Sequence, residues 1–109
     1  MITLKHKKAI NTYETILIAK PENTEDDIVQ NLIVIYSNFL KENGAIQIYF
    51  QNKGRHHLAY LVQKNSDGIY IHSNYKGSGK IVKQLEKYIR FDEKIIRHMT
   101  INKNNMATA

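Results

Sequence analysis

The chain is predicted to fold as an α+β domain of ferredoxin-like βαββαβ order, a four-stranded antiparallel sheet with two helices on one face. Three observations carry that prediction. Segments dense in β-branched and aromatic residues alternate with segments whose apolar residues recur at helical spacing. Chain breakers separate them at Pro21, at Asn43-Gly44 and across Lys76-Gly77-Ser78-Gly79. Between the two helical segments lies enough strand-like sequence for a hairpin.

The first strand is read at Tyr13–Ala19, closed by Pro21. Its apolar residues fall on both faces, so it belongs inside the sheet. Asn23 to Asp27 reads as a helix start: Thr24 caps, Asp27 follows three residues on, and the acids meet the positive end of the helix dipole. Ile28, Leu32, Ile35, Tyr36, Phe39 and Leu40 then form one apolar stripe, which is expected to be a core face. Lys41 and Asn43-Gly44 end the helix.

Ala45–Gln51 alternates as a half-buried second strand. Asn52-Lys53-Gly54 reads as the hairpin turn, with Arg55 at its tip and Leu58 and Tyr60 on one face of the sheet. His57–Gln63 and Ile69–Tyr75 are taken as one long third strand, interrupted at Asn65-Ser66-Asp67-Gly68 by a loop or bulge. Ser78 is the N-cap of a second amphipathic helix, with Ile81, Val82, Leu85, Tyr88 and Ile89 on its apolar side. Lys80, Lys83, Lys87 and Arg90 lie opposite them. Ile95–Ile101 is the last strand. The chain thus divides into a basic leader over 1–11, a single domain over 12–102 and a flexible tail over 103–109. Two helices on one face leave the other face and a strand edge for a partner.

With 109 residues the chain makes one domain that can bury a core without staples. It is 42% hydrophobic and 24% charged, an ordinary globular balance. The absence of cysteine excludes disulfides, Cys-ligated zinc and a cysteine nucleophile. Sixteen Lys and Arg against ten Asp and Glu give a formal charge of +6, which favours a polyanionic partner. No apolar run approaches the roughly 20 residues of a membrane span. The start has neither a secretory h-region nor a transit-peptide composition, so the protein is expected to act in the compartment where it is made. Abundant Lys, Ile and Asn fit an A+T-rich coding sequence.

Catalytic and metal chemistry find little support. Of five histidines, His56 and His57 are adjacent and point to opposite sides of a strand, and His6, His72 and His98 are scattered. Lys76-Gly-Ser-Gly-Lys80 is too short to wrap a triphosphate. No serine has a readable base partner. Acyl-phosphate hydrolases on this fold use an Arg in a glycine-rich loop after the first strand, where this chain has Lys20-Pro21-Glu22. The reading is a protein with no enzymatic activity, no cofactor, no metal, no small-molecule substrate and no membrane. The basic residues group more tellingly. Lys5, Lys7 and Lys8 precede the first strand, Lys53, Arg55 and His56 flank the turn, and Arg90 and Arg97 lead into the last strand. With the last strand beside the first, they are expected to make one phosphate-binding surface. The third strand lacks the aromatic run of an RNA-recognition motif, so phosphate and shape contacts are favoured over base stacking on the sheet.

Several motifs resemble those of the sixth small-subunit ribosomal protein family of bacteria and plastids. They are Tyr13-Glu14 with Lys20-Pro21, the run from Gly54 to Val62, Asp67-Gly68, Leu85 and Ile89, and Ile96-Arg97. The resemblance implies a structural subunit protein that binds the central domain of small-subunit ribosomal RNA as a heterodimer with the eighteenth small-subunit protein. By motif match it singles out Arg55 and Arg97 for RNA contact, then Lys53 and His56, where the family usually has Lys or Arg. Together with the A+T-driven composition, the extended leader and the missing transit peptide, it fits a protein of an algal plastid stroma, with the cytoplasm of an A+T-rich bacterium as the alternative. The competing reading is a small-molecule-binding regulatory module on the same fold.

Overall fold

The computed structural model describes residues 10–21 and 25–106. Its elements are β1 (Asn11–Ala19), α1 (Glu25–Glu42), β2 (Ile46–Val62), β3 (Asn65–Gly77), α2 (Gly79–Arg90) and β4 (Ile95–Asn102), followed by a single helical turn, α3 (Lys103–Met106). The four strands form one antiparallel sheet in the order β2-β3-β1-β4. The ferredoxin-like βαββαβ architecture read from the periodicity is therefore the architecture present.

β1 lies inside the sheet, which explains apolar residues on both its faces. Tyr13, Leu17 and Ala19 pack under the helices, whereas Ile18 joins a small cluster on the open face. The main core gathers Ile69, Ile71 and Tyr75 of β3, Val29, Leu32, Tyr36 and Leu40 of α1, and Ile81, Leu85 and Ile89 of α2. Each such side chain contributes about 1.5–3 kcal/mol when fully buried. The stripe of α1 runs through Val29, Leu32, Tyr36 and Leu40, so Ile35, which the spacing assigns to the core, is 45% exposed. A hydroxyl chain crosses the sheet beneath the helices. Thr15 Oγ1 lies 2.8 Å from the Tyr75 hydroxyl and 2.9 Å from Thr100 Oγ1, and the Ser73 hydroxyl donates to the Thr15 carbonyl at 3.0 Å. These bonds tie β3, β1 and β4 in one register and satisfy groups that would otherwise be costly to bury. Burial pushes the Tyr75 hydroxyl's pKa up.

The hairpin differs from the sequence expectation. Asn52-Lys53-Gly54 is no turn: β2 runs straight through it, and Gly54 (φ 87°) marks a bulge where the register to β3 shifts. The Asn52 side chain stabilises that bulge by accepting from Gly54 N–H at 2.8 Å. The reversal comes at Gln63-Lys64, both with positive φ (49° and 67°), between the paired residues Val62 and Asn65. That is the primed two-residue loop whose twist matches the flanking strands. Asn65 to Gly68 lies within a continuous β3, and the irregularity sits opposite it on β2, where the register shifts between His57 and Val62. Arg55 therefore sits mid-strand and not at a tip. Gly68 is needed for a different reason: a Cβ there would run into the Ile18 side chain.

Two smaller expectations also change. Ser78 occupies the N-cap position of α2, but its side chain makes no capping hydrogen bond. The segment read as a flexible tail begins with α3, and Asn104 Oδ1 accepts from Thr12 N–H at 2.7 Å, docking that turn on β1. The Thr24 cap lies outside the described residues.

Candidate nucleic-acid interface

β2 and β3, at 17 and 13 residues, outrun the nine-residue β1, so the hairpin continues past the region that the helices cover. Register fixes which face each charged residue occupies. Arg55 stands opposite Ile69, a residue of the helix-side core, so it belongs to that face. Arg97 stands opposite Ile18, whose side chain lies on the open face. The single phosphate-binding surface expected from the topology is thus divided between two faces of the sheet.

On the helix-side face of the hairpin, one carboxylate organises two basic side chains. Arg55 Nε–H donates to Asp67 Oδ2 at 3.1 Å, and His57 Nδ1–H donates to Asp67 Oδ1 at 2.8 Å. The two hydrogen bonds, Arg55's first, hold the Asp67 carboxyl below the ordinary carboxylate range. The arrangement presents a pre-oriented guanidinium on a strand, with half of its side chain exposed (49%). Asp67 is the residue that the sequence reading missed. Its type and neighbours suggested only a turn, and the true turn position is what reveals it as the cross-strand neighbour of His57.

On the open face, His56 stands edge-on to Tyr70 (centroids 5.2 Å apart, 86° between planes) and its Nε2–H donates to the Lys53 carbonyl at 2.9 Å. The ring is thereby committed to its own strand, which makes it a poorer phosphate donor than a Lys or Arg would be at this position. Lys53 itself is exposed. Arg97 is exposed too and borders a hollow of about 190 Å³ lined by Ile18, Leu58, Tyr60, Tyr70 and Ile96. Leu58 and Tyr60 do share that face, as the alternation predicts. Leu58 is buried there, whereas Tyr60 is 75% exposed. Farther along the same face, Tyr49 and Met99 are also more than half exposed. Beside them His72 Nδ1–H donates to Glu14 at 3.0 Å.

Arg90 closes the last turn of α2, exposed, at the end of the domain where β4 begins. Among the described residues, Lys53, Arg90 and Arg97 have no ion-pair partner. Lys5, Lys7 and Lys8 lie outside the described residues. The chemistry that remains is that of a binding surface: cationic donors beside exposed aromatic and aliphatic side chains. Among the described residues no group of three acidic, histidine or cysteine side chains gathers to hold a metal. No described helix is long and apolar enough to cross a membrane.

The model of a family described as ribosomal protein S6 matches residues 12–102. The small ribosomal subunit protein bS6c of Porphyra purpurea is 42% identical over 109 residues, covering 96% of this chain and 94% of its own length. That of Guillardia theta is 42% identical over 91 residues, covering 84% and 94%. The bS6 protein of the bacterium Trichormus variabilis is 42% identical over 89 residues, covering 82% of each. Among solved structures, the 30S ribosomal protein S6 from Thermotoga maritima superposes with a TM-score of 0.81 at 22% identity, covering 92% of this chain and 94% of that one.

Proposed function

The chain belongs to the ribosomal protein S6 family, non-enzymatic proteins of the small ribosomal subunit, and from that premise we propose how it is held there. It binds the central domain of small-subunit ribosomal RNA jointly with the eighteenth small-subunit protein. The observation that carries this reading is the division of the hairpin end into two unlike faces.

The open face offers apolar and aromatic contact area (Tyr49, Tyr60, Met99 and the hollow over Leu58) with an unpaired Arg97 at its border. Exposed side chains of that kind suit a protein partner, because their burial supplies non-directional binding energy. The helix-side face offers Arg55 fixed by Asp67, a polar device suited to phosphate oxygens. Arg97 stands at the border and serves the RNA next to the partner. Lys53 adds charge, His56 adds little while its Nε2–H donates to the Lys53 carbonyl, and Arg90 extends the cationic end of the domain. Lys5, Lys7 and Lys8 are assigned a supporting electrostatic role on charge alone.

The relatives named bS6c come from algae and those named bS6 from cyanobacteria, and we place this protein in the ribosome of an algal plastid. The test is sedimentation of the tagged protein with ribosomes. It should travel with small subunits and resist a moderate salt wash; recovery only at the top of the gradient would remove the assignment.

A further inference from the structure

The outer surface of α2 carries a row of cations of which the interface above uses only Arg90. Lys80, Lys83, Lys87 and Arg90 are all exposed and recur at intervals of three and four, so they line one side of the helix. None of them has an ion-pair partner among the described residues. A solvated helix face accounts for lysines, but not for what stands beside them. Phe91, directly after Arg90, is 77% exposed, and Tyr88 is 40% exposed.

These rings border a hollow of about 330 Å³ between the helices, lined by Phe39, Asn43, Gln84, Lys87, Tyr88 and Phe91. Its walls are fixed in advance. Tyr88 stacks on Phe39 with centroids 4.4 Å apart and planes 14° from parallel, and meets Tyr36 edge-on at 5.5 Å. Tyr36 is anchored in turn by donating to Asp92 Oδ2 at 2.7 Å, and burial followed by that bond pushes its own pKa far up.

We propose that α2 and the Phe39–Tyr88–Phe91 hollow form a second contact for RNA, which takes one unpaired base of a single strand while the lysine row tracks its phosphates. Cationic rows beside aromatic platforms are what sequence-tolerant single-strand binding requires, because every base has a face to stack and every nucleotide a phosphate. The charge complementarity is one-sided. Lys87 is the charged residue of the hollow, and Asn43 and Gln84 add amide groups able to meet a base edge. The contact lies on the helical layer, away from the hairpin, so the two surfaces engage different segments of RNA. The inference rests on the reading of the chain as an RNA-bound subunit protein.

The test uses the full chain and fluorescence anisotropy with a labelled oligouridylate and with an abasic ribose-phosphate strand of equal length. The wild type should bind oligouridylate more tightly than the abasic strand. Phe91→Ala, at a position too exposed to endanger folding, should weaken oligouridylate binding roughly tenfold and leave the abasic strand unaffected. Lys83→Gln with Lys87→Gln should weaken both strands and reduce the salt dependence by about 1.4 in slope, as two fewer single-strand phosphate contacts imply. Equal wild-type affinities for the two strands, or no effect of Phe91→Ala, would overturn the proposal. So would nuclear magnetic resonance shifts at Tyr88 and Phe91 on adding a glutamate-rich aromatic peptide and none on adding oligouridylate. Failure of these oligonucleotide measurements leaves the sedimentation test untouched, so the two readings fall separately.

Discussion

The two faces of the sheet do different work. Under the helices, Leu17, Ile71, Tyr75 and Leu85 are at most 2% exposed, and among the described residues every buried hydroxyl has a partner. On the open face the buried cluster consists of Ile18, Leu58 and Ile96, while Tyr49, Tyr60 and Met99 stand in solvent. The difference teaches where stability ends and recognition begins. The helix side holds the fold together, and the open side and the hairpin leave apolar area and charge exposed. A protein optimised only for folding would not leave that area uncovered.

Mutations should separate the two faces by size of effect. Leu17→Ala or Leu85→Ala removes a fully buried side chain from the main core and should cost about 3–4 kcal/mol, read as a fall in the denaturant midpoint. A loss below about 1 kcal/mol would mean that the helix side is loosely packed. Gly68→Ala tests the tight spot between the faces. The new methyl collides with Ile18, and a loss of about 1–3 kcal/mol is expected.

Smaller still should be the effect of the turn. Gln63 and Lys64 both hold positive φ, which side-chain-bearing residues adopt at a cost, so Gln63→Asn with Lys64→Gly should raise stability by about 1 kcal/mol. A lower thermal midpoint would contradict the assignment of the reversal to these residues.

That turn also shows what could be read in the sequence and what could not. The strands, helices and their order were legible because burial imposes a period on them: α2 keeps its period throughout, and β1 alternates until Leu17, Ile18 and Ala19, which are all buried. The exact path of the hairpin was not. Asn, Asp, Ser and Gly cluster at residues 52–54 and 65–68, where no reversal occurs, while the true loop carries Gln and Lys. In this hairpin Gly54 serves a bulge and Gly68 a close contact, and cross-strand pairing overrides local turn preference. The error propagated to the site. With Arg55 imagined at a tip, Asp67 had no role, and the separation of Arg55 from Arg97 across the sheet was invisible. Ile35 shows the same limit within α1: spacing identifies an apolar stripe but not its edge.

The smallest expected effect is at Asp67. Its carboxyl pKa is lowered in the folded protein, so its two hydrogen bonds favour folding above the ordinary carboxylate pKa of about 3.9 and cease to do so as the pH falls through the lowered value. At pH 7, Asp67→Asn should leave the thermal midpoint nearly unchanged, as solvent-facing ion pairs contribute little. Only under acid conditions should wild type and variant converge completely. Greater acid resistance of the wild type below that range would contradict the sign.

The account turns on whether the hairpin's two arginines hold RNA without holding the fold. The direct measurement is a filter-binding titration of central-domain small-subunit RNA, with the eighteenth protein present, against wild type and the Arg55→Ala, Arg97→Ala double variant. The prediction is roughly tenfold weaker binding and a salt dependence reduced by about two in slope, with an unchanged thermal midpoint. Equal affinity and equal salt slope for both proteins would contradict it.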